Sequence, residues 1–338
     1  MIRQATYSHF KIPVKGLLSL GIVLCLFYII HKEVRSLTDI EIDPIFFSKA
    51  YVIRHIHFMI LCTVLLVANV FCEATKWQMA TQYFIQQSKA KSIRAVLFGN
   101  TLGFVTPSKV GEYAGRLLHT SKQKSLKGLL ANLYCSLSQN IVNILIGLLA
   151  FGLNPSFNSL INRYLTSSFF TLGIVFTFVL VLVYFNLEVV IEKASKVEIL
   201  KKRLDALGFE QFDEAIDRQT LTQMLAWSFL RYVVYAAQYI LVCHYFDFDT
   251  SLLNMLSGVS FIFLIQSALI LPPVLGLLAR GEIAIVVWSL FAISTDQILL
   301  STFSLWIINI LVPAVIGLIV LLVPVGGEKP SSETNQIT

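Results

Sequence analysis

Residues 103–125 read "GFVTPSKVGEYAGRLLHTSKQKS", and this stretch decides the fold. It lies between two apolar segments, yet it crowds Pro107, Lys109, Gly111, Glu112 and Arg116 into one turn-rich patch. A charged side chain at the centre of a bilayer costs about 2.5–3.5 kcal/mol, while a Leu or Ile returns about 0.3–0.6. Facing lipid, Lys109, Glu112 and Arg116 would together cost about 9 kcal/mol, more than a dozen apolar neighbours offset. They must therefore sit at an interface or face a polar cavity. Pro107 ends the incoming arm, because it lacks an N–H and disfavours helix before it. Gly111 and Gly115 allow close backbone approach on the outgoing arm. Glu112 and Arg116, four apart, share a helix face and can pair. A helix start just after Pro107, beside Lys109 and Arg116, would present N–H groups to an anion such as a phosphate headgroup. A hairpin merely anchored at the interface by its charges accounts for the same residues equally well.

The preceding segment, Ile93–Thr106, is too short to cross. Its central dozen residues reach about 18 Å as helix, against about 30 Å of hydrocarbon. Cations flank it on both sides, Lys76, Lys89, Lys91 and Arg94 before and Lys109, Arg116, Lys122, Lys124 and Lys127 after. Cytoplasmic loops collect Lys and Arg, so both ends are expected on the inner side and the segment reads as a re-entrant hairpin near residues 93–120, broken at Asn100, Pro107 and Gly111.

The rest of the chain agrees with a membrane setting. Of 338 residues, 56% are hydrophobic and 14% charged, and the mean hydropathy is +0.74; soluble domains sit near about 45–50% and about 25%. Runs long enough to span are Gly16–Ile30 with its flanks, Ile56–Ala74, Leu126–Phe151, Leu165–Phe185, Thr220–Phe246 and Ile298–Val323. The basic start reads as a retained first span rather than a cleaved signal, with the N-terminus cytoplasmic. The net charge of +6 lies largely in the loops and reports orientation, not a nucleic-acid partner. The five cysteines fall in or beside apolar runs and read as buried packing residues.

A second break, "LPPVLGLLARGE", repeats the elements of the first in Pro272, Pro273, Gly276, Arg280 and Glu282. It belongs to a second hairpin near 252–293, although Leu252–Leu271 is long enough to cross instead, which would put the C-terminus outside. Glu112 and Glu282 stand about 170 positions apart, roughly half the chain. The expected architecture is an all-α polytopic membrane protein with six spans and two hairpins in two inverted-topology repeats, 1–152 and 153–323. Residues 186–218 read as a cytoplasmic amphipathic insert, and 324–338 as a disordered tail.

Polar residues also enter the spans. Gln139 and Asn143 share a face of the span after the first motif, beside Asn132, Ser136 and Asn140, while Arg231 and Gln238 lie in Thr220–Phe246 and Gln266 in the second hairpin. An intramembrane Arg needs a partner or water and so marks function by default; amides and Ser more often join helices. His55 and His57 read as interfacial, without further metal ligands. Neither a phosphate-binding G-x-x-x-x-G-K-[ST] loop nor a G-x-S-x-G or H-E-x-x-H motif occurs, and no metal or cofactor is expected.

With both motifs in view, the chain resembles the flippase-like family built on the transmembrane region of lysylphosphatidylglycerol synthase. The resemblance rests on "FGNTLGFVTPSKVGEYAGR" followed by a polar-faced span, and on "LILPPVLGLLARGEIAIVVW" before "SLWIINILVPAVIGLIVLL". It implies an inner-membrane protein moving lipids or lipid-linked intermediates between leaflets, with motif positions at Asn100, Pro107, Gly111, Glu112, Arg116, Pro272, Arg280 and Glu282. Neutral Gln139 and Asn143 stand where relatives often carry charge, and Leu277 and Leu278 where a further Gly or acid is common. The synthase's aminoacyl-transferase domain has no counterpart in this sequence.

The expected function is transfer of an anionic phospholipid or polyisoprenyl-phosphate glycolipid between leaflets, not catalysis. Lys109, Arg116 and Arg280 would attract phosphate, and Glu112 and Glu282 would pair with them or accept protons. The alternatives are a membrane transferase acting on a lipid-linked sugar, and a non-catalytic scaffold whose charged insert recruits a cytoplasmic partner such as a glycosyltransferase.

Overall fold

The computed structural model describes residues 43–106, 110–117, 125–159, 163–195, 216–268 and 276–322. The first span at Gly16–Ile30, most of the insert, the tail, and Pro107, Lys109, Pro272, Pro273 and Cys25 lie outside them. Within them the chain is helical, without a strand.

Helix α1 (Lys49–Thr81) begins where the Ser48 hydroxyl accepts from Tyr51 N–H, satisfying a donor the first turn leaves open. Its 33 residues are longer than the Ile56–Ala74 run and reach about 50 Å, so both ends can project beyond the hydrocarbon. Helix α2 (Lys89–Val105) starts on a Ser88 cap and stops at Thr106, which takes the extended conformation expected before Pro107. After the break comes the single short arm α3 (Val110–Arg116). Thr106 joins the two arms: its hydroxyl donates to the Leu102 carbonyl and accepts from Gly111 N–H at 2.7 Å. A Cβ at Gly111 would lie 2.2 Å from the Leu102 carbonyl oxygen, and one at Gly115 2.4 Å from that of Phe98. Only glycine permits this approach.

Next come α4 (Ser125–Leu153), α5 (Arg163–Phe185) and α6 (Leu187–Ser195), the last being the described part of the amphipathic insert. Helix α7 (Arg218–Tyr245) is capped by Asp217, and α8 (Leu252–Ala268) and α9 (Gly276–Trp288) lie where the second hairpin is expected. Helix α10 (Thr295–Trp306) starts on a Ser294–Gln297 capping box. It continues through a π-helical segment, Ile307–Leu311, into α11 (Val312–Leu322). The widened turn has a local cause. Pro313 has no N–H to offer the Asn309 carbonyl, and Val312 N–H bonds back to Ile307 instead.

Five helices among the described residues are long and apolar enough to cross a membrane: Lys49–Thr81, Lys127–Leu153, Ser167–Phe185, Arg218–Tyr245 and Thr295–Leu321. They match five of the six expected spans. The described part of α8 has 17 residues, about 25 Å as helix. Large apolar side chains such as Val64, Val67, Leu172 and Phe178 point outward, as a lipid-facing surface requires.

Helices α1 and α7 pack side by side and are pinned at both ends. Tyr51 O–H donates to Asp247 at 3.0 Å and to the Tyr245 carbonyl, while Tyr83 O–H donates to Asp217. Helix α2 packs on α11, and α8 packs on α4. A glycine sits at each crossing. A Cβ at Gly317 would lie 2.2 Å from the Leu97 carbonyl oxygen, and one at Gly147 2.4 Å from Leu264 Cβ. Gly147 and Gly317 are about 170 positions apart, the same separation as Glu112 and Glu282. Thr101 on α2 adds a 2.8 Å hydrogen bond to the Ala314 carbonyl.

Candidate intramembrane charge cluster

Glu73 is the hub of the site. It lies on α1 two turns before the helix ends, 5% exposed, and the surrounding helices bring three cations to it. Arg116 Nη2 on the short arm α3 lies 2.8 Å from Oε1, and Lys76 Nζ and Arg231 Nη1 lie 3.0 and 2.8 Å from Oε2. Arg116 also reaches Glu112 Oε1, one turn back on its own helix, at 2.6 Å. Its guanidinium lies over the Trp77 ring, 5.2 Å from the centroid. A surface pair would contribute little, but charges buried among helices are held only if each finds partners.

The partners extend across the bundle. Lys76 Nζ donates to the Cys135 carbonyl at 3.2 Å and to Gln139 Oε1 at 3.3 Å. Arg231 uses all three nitrogens: Nε to Asn69 Oδ1 at 2.7 Å, Nη1 to Glu73 and Gln139, and Nη2 to the Tyr235 hydroxyl at 3.3 Å. Gln139 Nε2 donates to Asn143 Oδ1, and Asn143 Nδ2 donates to Ser267 at the end of α8. Asn69 Nδ2 donates to Asn309 Oδ1 at 3.4 Å, inside the π-helical turn. Arg231, Gln139 and Asn309 stand near the middles of their helices. The network thus descends from near the end of α1 toward the centre of the spans.

Access is uneven. The side chains of Lys76, Arg116 and Glu73 are 0, 2 and 6% exposed, whereas those of Arg231 and Glu112 are 19 and 23% exposed. Glu112 and Arg231 are therefore the members a ligand would meet first. Arg116 keeps Nε and Nη1 buried without a hydrogen-bond acceptor, so its guanidinium has donor capacity left over.

Of the residues singled out from sequence, Glu112, Arg116, Gln139, Asn143 and Arg231 come together here. Gly111 holds the first hairpin closed, and Asn100 is half-buried on α2. Gly276 begins α9. Arg280 on that helix is half-buried, with Nε shielded and lacking an acceptor. Glu282 does not mirror Glu112: it is exposed on α9, and no ion pair reaches it among the described residues. Lys76, which reads from sequence as a loop cation flanking a hairpin, is instead fully buried within α1.

Sequence reasoning missed Glu73, Asn69, Tyr235 and Asn309. The available signal was "CEATKW": a carboxylate and a lysine three apart inside an apolar helix, spaced to pair on one face. His55 pairs loosely with Asp247, 3.7 Å away, at the other end of α1. No group of three or more His, Cys, Asp or Glu able to hold a metal occurs among the described residues. Cys62, Cys72, Cys135 and Cys243 are free and buried, as their apolar settings suggest.

Residues 47–317 match the family described as the lysylphosphatidylglycerol synthase TM region. The chain belongs to that family. With its apolar spans, this makes it a multi-pass membrane protein of lipid-related function. No curated protein and no solved structure matched.

Proposed function

We propose that the protein moves a lipid with an anionic phosphate headgroup between leaflets, with the Glu73–Arg116–Arg231 cluster as the polar station on its path. One observation carries this reading: three cations and two carboxylates are enclosed among spanning helices, leaving one positive charge in excess. An uncompensated charge in a low-dielectric interior is costly, and a transient anion relieves it. Membership of a lipid-related family and the broken, glycine-packed hairpins beside the cluster support the same reading. The expected repeats, 1–152 and 153–323, serve as inverted halves, so that rocking one against the other exposes the cluster to each leaflet in turn. The setting is a cell inner membrane with the N-terminus cytoplasmic, in keeping with the basic loops.

The test is exchange of headgroup-labelled lipids between leaflets of proteoliposomes, with several anionic lipids and a polyisoprenyl phosphate. Wild type is compared with folded Glu73→Gln, Glu112→Gln and Glu282→Gln variants. Exchange by wild type that falls at least about tenfold in Glu73→Gln and Glu112→Gln is expected, the scale of losing a charge-assisted contact. Glu282→Gln has the smaller effect, because Glu282 lies apart from the cluster. No exchange of any lipid by well-folded protein would overturn transport and favour a transferase or scaffold.

A further inference from the structure

The neutral end of the network has hydrogen-bonding capacity that its own members do not use. Gln139 is saturated: Oε1 accepts from Lys76 at 3.3 Å and from Arg231 at 3.5 Å, and Nε2 donates to Asn143 Oδ1 at 3.2 Å and to the Ser228 carbonyl at 3.3 Å. Two cations can meet only the oxygen of that amide, so they fix its orientation and, through it, that of Asn143. Asn143 therefore turns Nδ2 toward the Ser267 hydroxyl, 3.1 Å away near the end of α8. Among the described residues this leaves one N–H of Asn143, a lone pair on its Oδ1 and the Ser267 hydroxyl proton without a partner. Arg231, Gln139, Asn143 and Ser267 are all half-buried. Polar side chains among spanning helices face lipid only at high cost, so their open sides face a polar space continuous with the cluster.

We infer that Asn143 and Ser267 form a subsite for hydroxyl groups carried beyond the headgroup phosphate. The protein then takes a phosphodiester with a hydroxylated substituent, such as a glycerol or sugar, in preference to one whose substituent is apolar or bears an ammonium. The inference rests on the transport reading above and narrows its substrate. A hydroxyl both donates and accepts, and the N–H, lone pair and O–H left over here match it. The phosphate is provided for alongside. Arg231, the accessible cation of the cluster, offers a planar fork of donors and is joined to Asn143 through the one side chain of Gln139. An ammonium finds no equivalent partner. Glu73 is held by three cations and Glu112 by Arg116, and the cluster they form carries a surplus positive charge. Asn143 and Ser267 are thus specificity-determining residues at the neutral end of a site whose other end is charged.

The experiment measures proteoliposome exchange of acyl-labelled phosphatidylglycerol, phosphatidylinositol and phosphatidylpropanol, which carry the same single charge and differ in their hydroxyls. Phosphatidylethanolamine is the ammonium-bearing comparison. Wild type is run beside Ser267→Ala, which removes only the hydroxyl, and Asn143→Leu. A parallel arm measures binding of glycerophosphoglycerol and of dimethyl phosphate to detergent-solubilised protein by calorimetry. Wild type is expected to move one of the hydroxylated lipids at least about tenfold faster than phosphatidylpropanol, the scale of one or two hydrogen bonds. Which of the two is faster tells a glycerol from a sugar-like ring. In both variants the preference shrinks toward one while phosphatidylpropanol exchange is little changed. Equal exchange of hydroxylated and propanol lipids by wild type, phosphatidylethanolamine exchange as fast as either, or a loss in the variants shared equally by every lipid overturns the inference and leaves transport standing. An undiminished preference in folded Ser267→Ala and Asn143→Leu does the same. If no lipid exchanges but glycerophosphoglycerol binds over dimethyl phosphate in a Ser267-dependent way, the subsite stands and the transport reading falls. If neither exchange nor such binding occurs, both fall.

Discussion

Replacing Glu73 by Gln tests the cluster where it is most tightly determined. The amide keeps the size of the side chain and an oxygen for Arg116, so packing is little changed. It removes the carboxylate that touches Lys76, Arg116 and Arg231, and it places N–H donors against their N–H donors. The cluster then holds three cations against Glu112 alone, and its net charge rises from +1 to +2. Removing one partner from a buried ion pair costs about 3–5 kcal/mol, because the remaining charge is left uncompensated. That is a large part of the roughly 5–15 kcal/mol that holds a typical folded domain together.

The assay is reversible unfolding in bicelles or mixed micelles, run as a double-mutant cycle with Lys76→Met. Lys76 is fully buried, and its Met replacement fills similar volume without charge. The double variant restores the net charge to +1, so it should recover at least about 2 kcal/mol relative to the sum of the single changes, within the range of coupled contacts. A folded Glu73→Gln within about 0.5 kcal/mol of wild type, or strictly additive changes in the cycle, would refute the account of Glu73 as the hub.

The remaining predictions address the frame around the cluster. Gly317→Ala and Gly147→Ala should each destabilise by about 1–3 kcal/mol or more, because the added methyl meets backbone or Cβ atoms of the opposing hairpin; unfolding midpoints check this. Pro313→Ala supplies the N–H missing opposite the Asn309 carbonyl, so the π-helical turn should tighten and turn Asn309 away from Asn69. Cross-linking between cysteines placed at 69 and 309 should then fall severalfold. Asp217, outside the spans, is held below the usual carboxylate range by hydrogen bonds from Tyr83 and then from Thr220. A depressed folded pKa stabilises above the unfolded value of about 3.9 and loses that contribution as pH falls through the folded value. Hydrogen exchange in the first turn of α7 should therefore accelerate below about pH 4 in wild type and lose that pH dependence in Asp217→Asn.

Much of the frame was legible because its signals are local. Apolar run length located five spans, and Thr106–Pro107 marked the end of α2. Gly111 and Gly115 marked the close approach of the hairpin arms. The cluster was legible only in part, because its members come from six places along the chain and converge through tertiary packing. Arg231 stood out as a lone cation in an apolar run. Glu73 and Lys76 did not, because they sit near the end of theirs, where charges ordinarily mark a loop; the 33-residue length of α1 is what keeps them inside. Asn309 was hidden for another reason: a single amide in a span more often bonds a neighbouring helix, and only the turn opened by Pro313 sets it apart.

Two helix crossings are packed alike, but the charges beside them are not. Gly147 sits where α4 crosses α8, and Gly317 where α11 crosses α2. At the first hairpin, Arg116 is neutralised by resident carboxylates on its own helix and on α1. At the second, Glu282 is exposed, and Arg280 keeps its Nε buried without an acceptor. A structural role alone would favour pairing both arginines, since each unpaired buried cation destabilises the fold. Neutralising one and leaving the other is what a site must do if it is to hold its shape and still attract an anion. On the transport reading proposed above, the paired arginine would fix the geometry, and the unpaired one would supply the difference in energy between a bound and an unbound headgroup.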